Sequence, residues 1–375
     1  MQFSGGSCVI APDAEILASV DHGDGLALAT IDPVHPGIGK VFGEKVFAQR
    51  RPALYMELMT NTFSWNPGDF FGLYGEKPLP AGRRARVAAG QFAPTGDAEV
   101  NLARIATLLD EAKASGAELL VLPERCLTGL GDPEASAVPL DGPVVSAFLD
   151  CVASRGLHVV AGLAERDGQA LFNTAVVAGP EGLVGRYRQT HLTSADRAWA
   201  TAGDDFAVFD LPFGRLGLLI GHDAAFPEAG RVLALRGCDV IACPAAIKAR
   251  FHFGHAGTAV AQPAPIPTGA DPLHWHHFRV RAGENNCYFA FANVEDAGAG
   301  YPGLSGVFGP DSFAFPRSET VMSGSSQTGV AGNSQLAVAE IDTSTLGGTY
   351  PTNVVRRKDL VLMRQPHHYR ELIAR

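Results

Sequence analysis

The chain has 375 residues, 46% hydrophobic and 18% charged, and a formal net charge of -9. So much apolar material can bury a large core, and it excludes wholesale disorder; as a soft prior the length suggests about two domains. The acidic balance argues against a nucleic-acid partner, since phosphate contacts need clustered Lys and Arg, and the densest basic cluster, Arg83, Arg84 and Arg86, reads as solvated linker. From Arg86 onward strand-like and helix-like segments alternate. Arg86 to Phe92 reads as a strand. Asp97 caps a helix with Leu102, Ile105, Leu109 and Ala112 on one face and Gly116 as its stop. Glu118 to Leu122 is a short apolar strand before Pro123, and Pro143 opens a helix that Gly156 closes. Strands follow at Leu157 to Leu163, Ala170 to Ala178 and Leu216 to Ile220, then a helix at Pro227 to Arg236 and strands at Asp239 to Cys243 and Cys287 to Asn293. Residues 244 to 275, with four prolines among glycines, read as a long loop, and Ser323 to Ser334 as a second insertion. Fully apolar strands between amphipathic helices predict an α/β fold whose sheets are covered on both faces.

The chain also echoes itself. Ala27-Leu28-Ala29-Thr30-Ile31-Asp32 precedes Arg50-Arg51, as Ala337-Val338-Ala339-Glu340-Ile341-Asp342 precedes Arg356-Arg357. Ile10-Ala11-Pro12-Asp13 likewise matches Phe308-Gly309-Pro310-Asp311. The echo divides the chain into a fragment, 1–58, that looks like the closing part of another domain, a linker, 59–85, and a complete domain, 86–375. A lone closing fragment is expected to pack on a neighbour or to be poorly ordered.

Three segments at predicted strand ends carry polar residues: Leu122-Pro123-Glu124, Tyr187-Arg188-Gln189-Thr190-His191, and Ile220-Gly221-His222-Asp223 followed by Phe226-Pro227-Glu228. With Asn173-Thr174-Ala175, Arg281-Ala282-Gly283-Glu284-Asn285 and Ala292-Asn293, and in this order, they resemble the nitrilase superfamily of carbon–nitrogen hydrolases over about 86 to 365. Pro310-Asp311, Ile341-Asp342 and Arg356-Arg357 fit that family's closing strands. The resemblance implies a four-layer α-β-β-α sandwich with two stacked β-sheets, and a homo-oligomer. It also implies a chemistry. A cysteine thiolate attacks an amide or nitrile carbon, a glutamate transfers protons, and a lysine stabilises the tetrahedral intermediate.

Carried over by position, Glu124 falls on the glutamate, Gln189 on the lysine and Gly221 on the cysteine. Glycine has no nucleophile and glutamine no charge, so the resemblance implies a pseudoenzyme with a structural, regulatory or ligand-binding role. A small amide, nitrile or carboxylic acid is the expected ligand. One alternative is an active hydrolase of small amides, carbamoyl compounds or nitriles that uses Glu124-activated water. Another is the C-terminal half of a tandem hydrolase whose first domain is active. The family's additional acid has only Asp196, Asp204, Asp205, Asp210 or Asp223 to fill it, since no Glu lies between His191 and Glu228.

Cys126 and Cys243 read as small buried hydrophobes, Cys8 as structural, and His222 as a satisfied histidine. Glu228 and Arg231 are spaced for a helical i,i+3 pair. The histidines 252, 255, 274, 276 and 277 lie in or beside the Pro-rich loop and suggest a lid or an interface more than a metal site. The six cysteines show no CxxC, no apolar run approaches the ~20 residues of a membrane span, and no signal-peptide pattern opens the chain. No cofactor, metal or membrane partner is expected, and the expected setting is cytoplasmic.

Overall fold

The computed structural model describes residues 7–12, 16–20, 23–41, 43–59, 77–248, 252–254, 270–310, 319–321, 336–344, 353–358, 361 and 363–370. Two six-stranded sheets form its centre. In the first, strands Arg84–Gly90, Leu119–Val121 and His158–Asp167 run parallel, with Leu336–Asp342 antiparallel along one side and Ala170–Gly179 and Gly182–Arg188 along the other. The second orders Val208–Leu211, Gly214–Leu218, Val240–Ala245, Tyr288–Asn293, Gly306–Phe308 and Glu319–Val321.

Alternation along each strand builds two cores. Val87, Ala89, Leu119, Val121 and Val160 pack toward the second sheet. Their neighbours Ala88, Leu120, Val159 and Ala161 pack outward with Ile105, Leu108, Val145 and Phe148 of helices Ala98–Ala114 and Pro143–Ala153. Asp97 caps the first helix, its carboxylate accepting from the amides of Glu99 and Val100. On the second sheet, Phe278 of helix Leu273–Asn285 stacks on Phe291 with ring centroids 4.0 Å apart, and helix Pro227–Leu235 packs beside it. Helices outside two facing sheets make the expected four-layer α-β-β-α sandwich.

Several expectations change. The stretch 244–275 is not one loop: Val240–Ala245 runs into it, His252–Gly254 pairs with Ala270–Pro272, and a helix begins at Leu273, directly after Pro272. Proline's fixed φ suits a helix entrance. Arg84 and Arg86 belong to the first strand rather than to a linker, and Arg83 pairs with Glu118. Arg356 lies in the helical turn Val354–Arg357, not in a strand, and pairs with buried Asp239 at 2.9 Å. Glu228 pairs across the molecule with Arg50 at 2.9 Å, and Arg231 donates to Asn285 Oδ1 and the Glu284 carbonyl. Residues 60–76 of the expected linker, the Ser323 to Ser334 insertion, Asp311, His255 and the side chains of His252, His274 and His276 lie outside the described residues. Among the described residues no helix is long and apolar enough to cross a membrane.

The N-terminal segment divides in character. Ser7–Ile10 and Ile16–Val20 form a hairpin, and the extended stretch after it leaves Leu26, Leu28, Ile31 and Val34 exposed. Helix Val46–Gln49 and the 3-10 helix Pro52–Met59, by contrast, pack on the main sandwich, with Tyr55 and Leu58 buried in its core.

Candidate functional site

The carboxyl ends of strands from both sheets converge on a cavity of about 310 Å³. Glu124 and Arg125 follow strand Leu119–Val121, Gln189 follows Gly182–Arg188, Gly221 and His222 follow Gly214–Leu218, and Lys248 follows Val240–Ala245. Glu124, Gln189 and Gly221, far apart in sequence, thus line one space.

Tight backbone packing fixes Glu124. A Cβ on Gly162 of the neighbouring strand would lie 2.4 Å from the Arg125 nitrogen and 2.7 Å from the Glu124 Cα, so only glycine lets this turn close. Arg125 itself takes φ 51°, the left-handed region. Asn173 then ties two of the site residues together. Its Nδ2 donates to Glu124 Oε1 at 2.8 Å and to Gln189 Oε1 at 2.9 Å, and Gln189 Nε2 donates to the Ile220 carbonyl at 3.2 Å. Glu124 keeps a face toward the cavity but is otherwise enclosed. Burial, with Asp196 nearby, pushes its carboxyl up to about 7.

Gly221 has φ +37° and opens a short 3-10 turn. A Cβ there would meet Glu124 Oε2 at 2.7 Å. A side chain at this position would therefore have to push the end of the Glu124 side chain aside and adopt a strained positive φ. Asp223, two residues on, is wholly buried and acts as the hub of the turn. Its carboxylate accepts from the Ile220 and His191 amides, Thr190 Oγ1, His191 Nδ1 and the Tyr187 hydroxyl. Burial opposes its charge, but His191 and these amides outweigh it and hold the carboxyl below its usual range.

Of the aspartates considered for an additional acid, Asp196 reaches the cavity, its Oδ2 accepting from Thr193 Oγ1 at 2.6 Å. His222 is satisfied, as expected: its Nε2 lies 2.7 Å from Gln49 Oε1. Cys126 and Cys243 are fully buried; burial pushes the Cys126 thiol up to about 12 and raises that of Cys243 well above the ordinary range. Cys8 is exposed on the N-terminal hairpin.

Sequence reasoning missed the charged and aromatic cavity residues Arg125, Lys248, Tyr301 and Glu44. Arg125 directly follows Glu124 in the chain. Lys248 lay in what read as loop, and its ammonium sits 4.6 Å from the Tyr301 ring centroid. Its signal was its place three residues past a strand end. The fourth, Glu44, comes from the N-terminal segment and accepts from the amide and hydroxyl of Ser194. Nearby, Arg51 donates to the carbonyls of Thr190 and Gly203, and the Tyr55 hydroxyl meets His191 Nε2 at 2.6 Å.

Comparison with known proteins agrees with this architecture. The profile of the carbon–nitrogen hydrolase family matches residues 86–347. A nitrilase of Pyrococcus abyssi is 34% identical over 252 residues, 64% of this chain and 83% of that one. The bovine omega-amidase NIT2 is 30% identical over 233 residues, 58% of this chain and 77% of its own. Among solved structures, an amidase from Nesterenkonia sp. superimposes with a TM-score of 0.57 at 21% identity, over 78% of this chain and 98% of the amidase. Nit3 of Saccharomyces cerevisiae gives a TM-score of 0.57 at 20% identity, over 76% and 97%. These structural likenesses speak for the fold.

Proposed function

The chain belongs to the carbon–nitrogen hydrolase family, and from that premise we propose a role in binding rather than in hydrolysis at this site. The observation that carries the reading is at Gly221, where the resemblance places the nucleophile. There is no side chain, and Glu124 Oε2 stands 2.7 Å from where a Cβ would be. A structure of the Nesterenkonia amidase describes acrylamide added to its active-site cysteine; here the corresponding bond has no atom to form to. Gln189 offers an amide where an ammonium would stabilise an oxyanion, and it is engaged with Asn173 and Ile220. Neither Cys126 nor Cys243 takes over, since a fully buried thiol with a raised pKa supplies little thiolate. What remains is a small polar cavity suited to holding a ligand, with a regulatory or structural consequence, in a chain whose residues 1–58 resemble the closing part of a second such domain.

Ammonia release from a panel of primary amides, carbamoyl compounds and nitriles tests this. The expected result is no release above a chain-free control. Turnover by the natural chain that disappears in Glu124→Gln would overturn it. It would favour the second reading, hydrolysis by Glu124-activated water, which draws on the carboxyl pushed up to about 7 and so poised for proton transfer near neutrality. Gly221→Cys/Gln189→Lys is expected to recover little, because residue 221 takes φ +37°, strained for any L side chain, and its Cβ must push the Glu124 carboxylate aside.

A further inference from the structure

The strands that close the two sheets of this fold occur twice in the chain, and among the described residues one set closes nothing. Residues 26–32 match Leu336–Asp342 at five of seven positions, with Leu26, Ala27, Ala29, Ile31 and Asp32 answering Leu336, Ala337, Ala339, Ile341 and Asp342. The later copy is the edge strand of the first sheet, antiparallel to Arg84–Gly90, and there Ile341 is 1% exposed. Ile31, its counterpart, is 69% exposed, and Leu26 and Leu28 are exposed with it. The N-terminal hairpin repeats the pattern. Gly306–Phe308 and Glu319–Val321 are the antiparallel pair that ends the second sheet, the first of them joined to Tyr288–Asn293, with Phe308 fully buried. Ser7–Ile10 and Ile16–Val20 form the same kind of pair around the matching Pro12-Asp13, but among the described residues no third strand joins them, and Ile10 is exposed. Strands with open edges and a run of exposed apolar side chains mark a surface that another sheet covers.

We propose that residues 7–32 dock on a second carbon–nitrogen hydrolase domain that lacks its own closing strands, the hairpin extending one of its sheets and residues 26–32 the other. Backbone hydrogen bonds along the open edge supply the affinity, and the side chains fix the register. That register is the one seen in the later copy, where Ile341 lies opposite Ala85 of the first strand. A second copy of this chain offers no such seat, because its own Leu336–Asp342 fills it, and a tethered strand outcompetes a free one of matching sequence. The residues that follow place the partner. Counted from Arg50-Arg51 and Arg356-Arg357, Tyr55 corresponds to Val361 and Leu58 to Arg364. Tyr55 and Val361 are buried in the same core, and the Leu58 carbonyl accepts from Arg364 Nε at 3.5 Å. A residue that touches its own counterpart lies on a two-fold axis relating two domains of one fold. The inference rests on the fold, and holds whether the cavity of this domain binds or hydrolyses.

Opening the seat in the full chain tests the fit. Ala337→Asp/Ile341→Asp puts two charges on the buried face of the chain's own closing strand and unseats it. The variant should stay soluble and melt within about 10 °C of the natural chain, its seat refilled by residues 26–32 of the same or another copy. Adding Ile31→Asp should then lower the melting temperature by a further 5 °C or more, roughly. In the natural chain, where Ile31 is exposed, the same substitution should shift melting by less than about 1 °C and leave sedimentation velocity unchanged. An insoluble Ala337→Asp/Ile341→Asp chain, or one indifferent to Ile31→Asp, overturns the proposal. Self-association of the natural chain that Ile31→Asp abolishes makes the occupant a second copy and overturns the assignment to an open domain. None of these outcomes bears on the chemistry of the cavity, which ammonia release decides separately.

Discussion

Replacing Glu124 with glutamine should flatten the pH dependence of stability. In the natural chain the carboxyl is raised from 4.5 to about 7, with burial as the main cause and Asp196 adding to it. The folded state therefore binds a proton that the unfolded chain releases between those values. Where the folded state binds more protons, stability falls as pH rises, so the contribution is fully present below about pH 4.5 and lost by about pH 7. A shift of this size corresponds to about 2–3 kcal/mol, after discounting for the carboxylate's access to the cavity. Glutamine keeps an oxygen for Asn173 Nδ2, which now lies 2.8 Å from Glu124 Oε1, and cannot ionise. Urea unfolding followed by tryptophan fluorescence at about pH 5 and about pH 8 gives the difference for each protein. His158 and His222, whose pKa values burial lowers, contribute a slope of opposite sign, but they are common to both chains and cancel in the comparison. The natural chain should lose about 2 kcal/mol more than Glu124→Gln over this interval. Coincident pH profiles would show that Glu124 ionises as an ordinary carboxylate and would refute the account of the site's electrostatics.

Other substitutions probe the supports of the site. Gly162→Ala puts a methyl group within 2.4 Å of the Arg125 nitrogen; it should destabilise by about 3 kcal/mol or more and weaken ligand binding, as thermal unfolding and calorimetry would show. Asn293→Ala removes an amide that bridges Ile247 and Gly303; with several buried groups left unpaired beside Lys248, a loss of about 3 kcal/mol is expected in denaturant titration. Tyr55→Phe deletes the hydroxyl that meets His191 Nε2 and accepts from the Arg51 amide, which should cost about 1–3 kcal/mol; an unchanged melting temperature would show that the N-terminal segment does not dock as described.

Much of this was legible because local rules and tertiary structure agree. Asp97 caps its helix, Pro143 opens another, and Gly116 and Gly156 stop both in left-handed conformation. Glu124 and Gly221 each follow a readable apolar strand, whereas Gln189 follows the polar, largely exposed Gly182–Arg188 and was placed by the resemblance. What stayed hidden depends on long-range contact. Nothing near Asn173 reveals that its amide joins Glu124 to Gln189, and nothing near Glu44 reveals that it walls a cavity whose other residues lie beyond position 120. The Glu228–Arg231 spacing misled for the same reason: Arg50, 178 residues away, took the carboxylate. The crowding at Gly221 stayed hidden too, because sequence shows a missing side chain but not the carboxylate that lies against it.

The N-terminal segment gives this cavity a second property. Glu44 lines it, Gln49 holds His222, and Arg51 and Tyr55 clamp the loop that carries Asp196. Occupancy and docking then share one free energy. A ligand that binds 10-fold more tightly when the segment is seated must hold that segment 10-fold more firmly in return, about 1.4 kcal/mol in each direction. If it binds as proposed, without turnover, the domain would in this way become a sensor, converting the concentration of a small molecule into the grip it keeps on its own N-terminal segment.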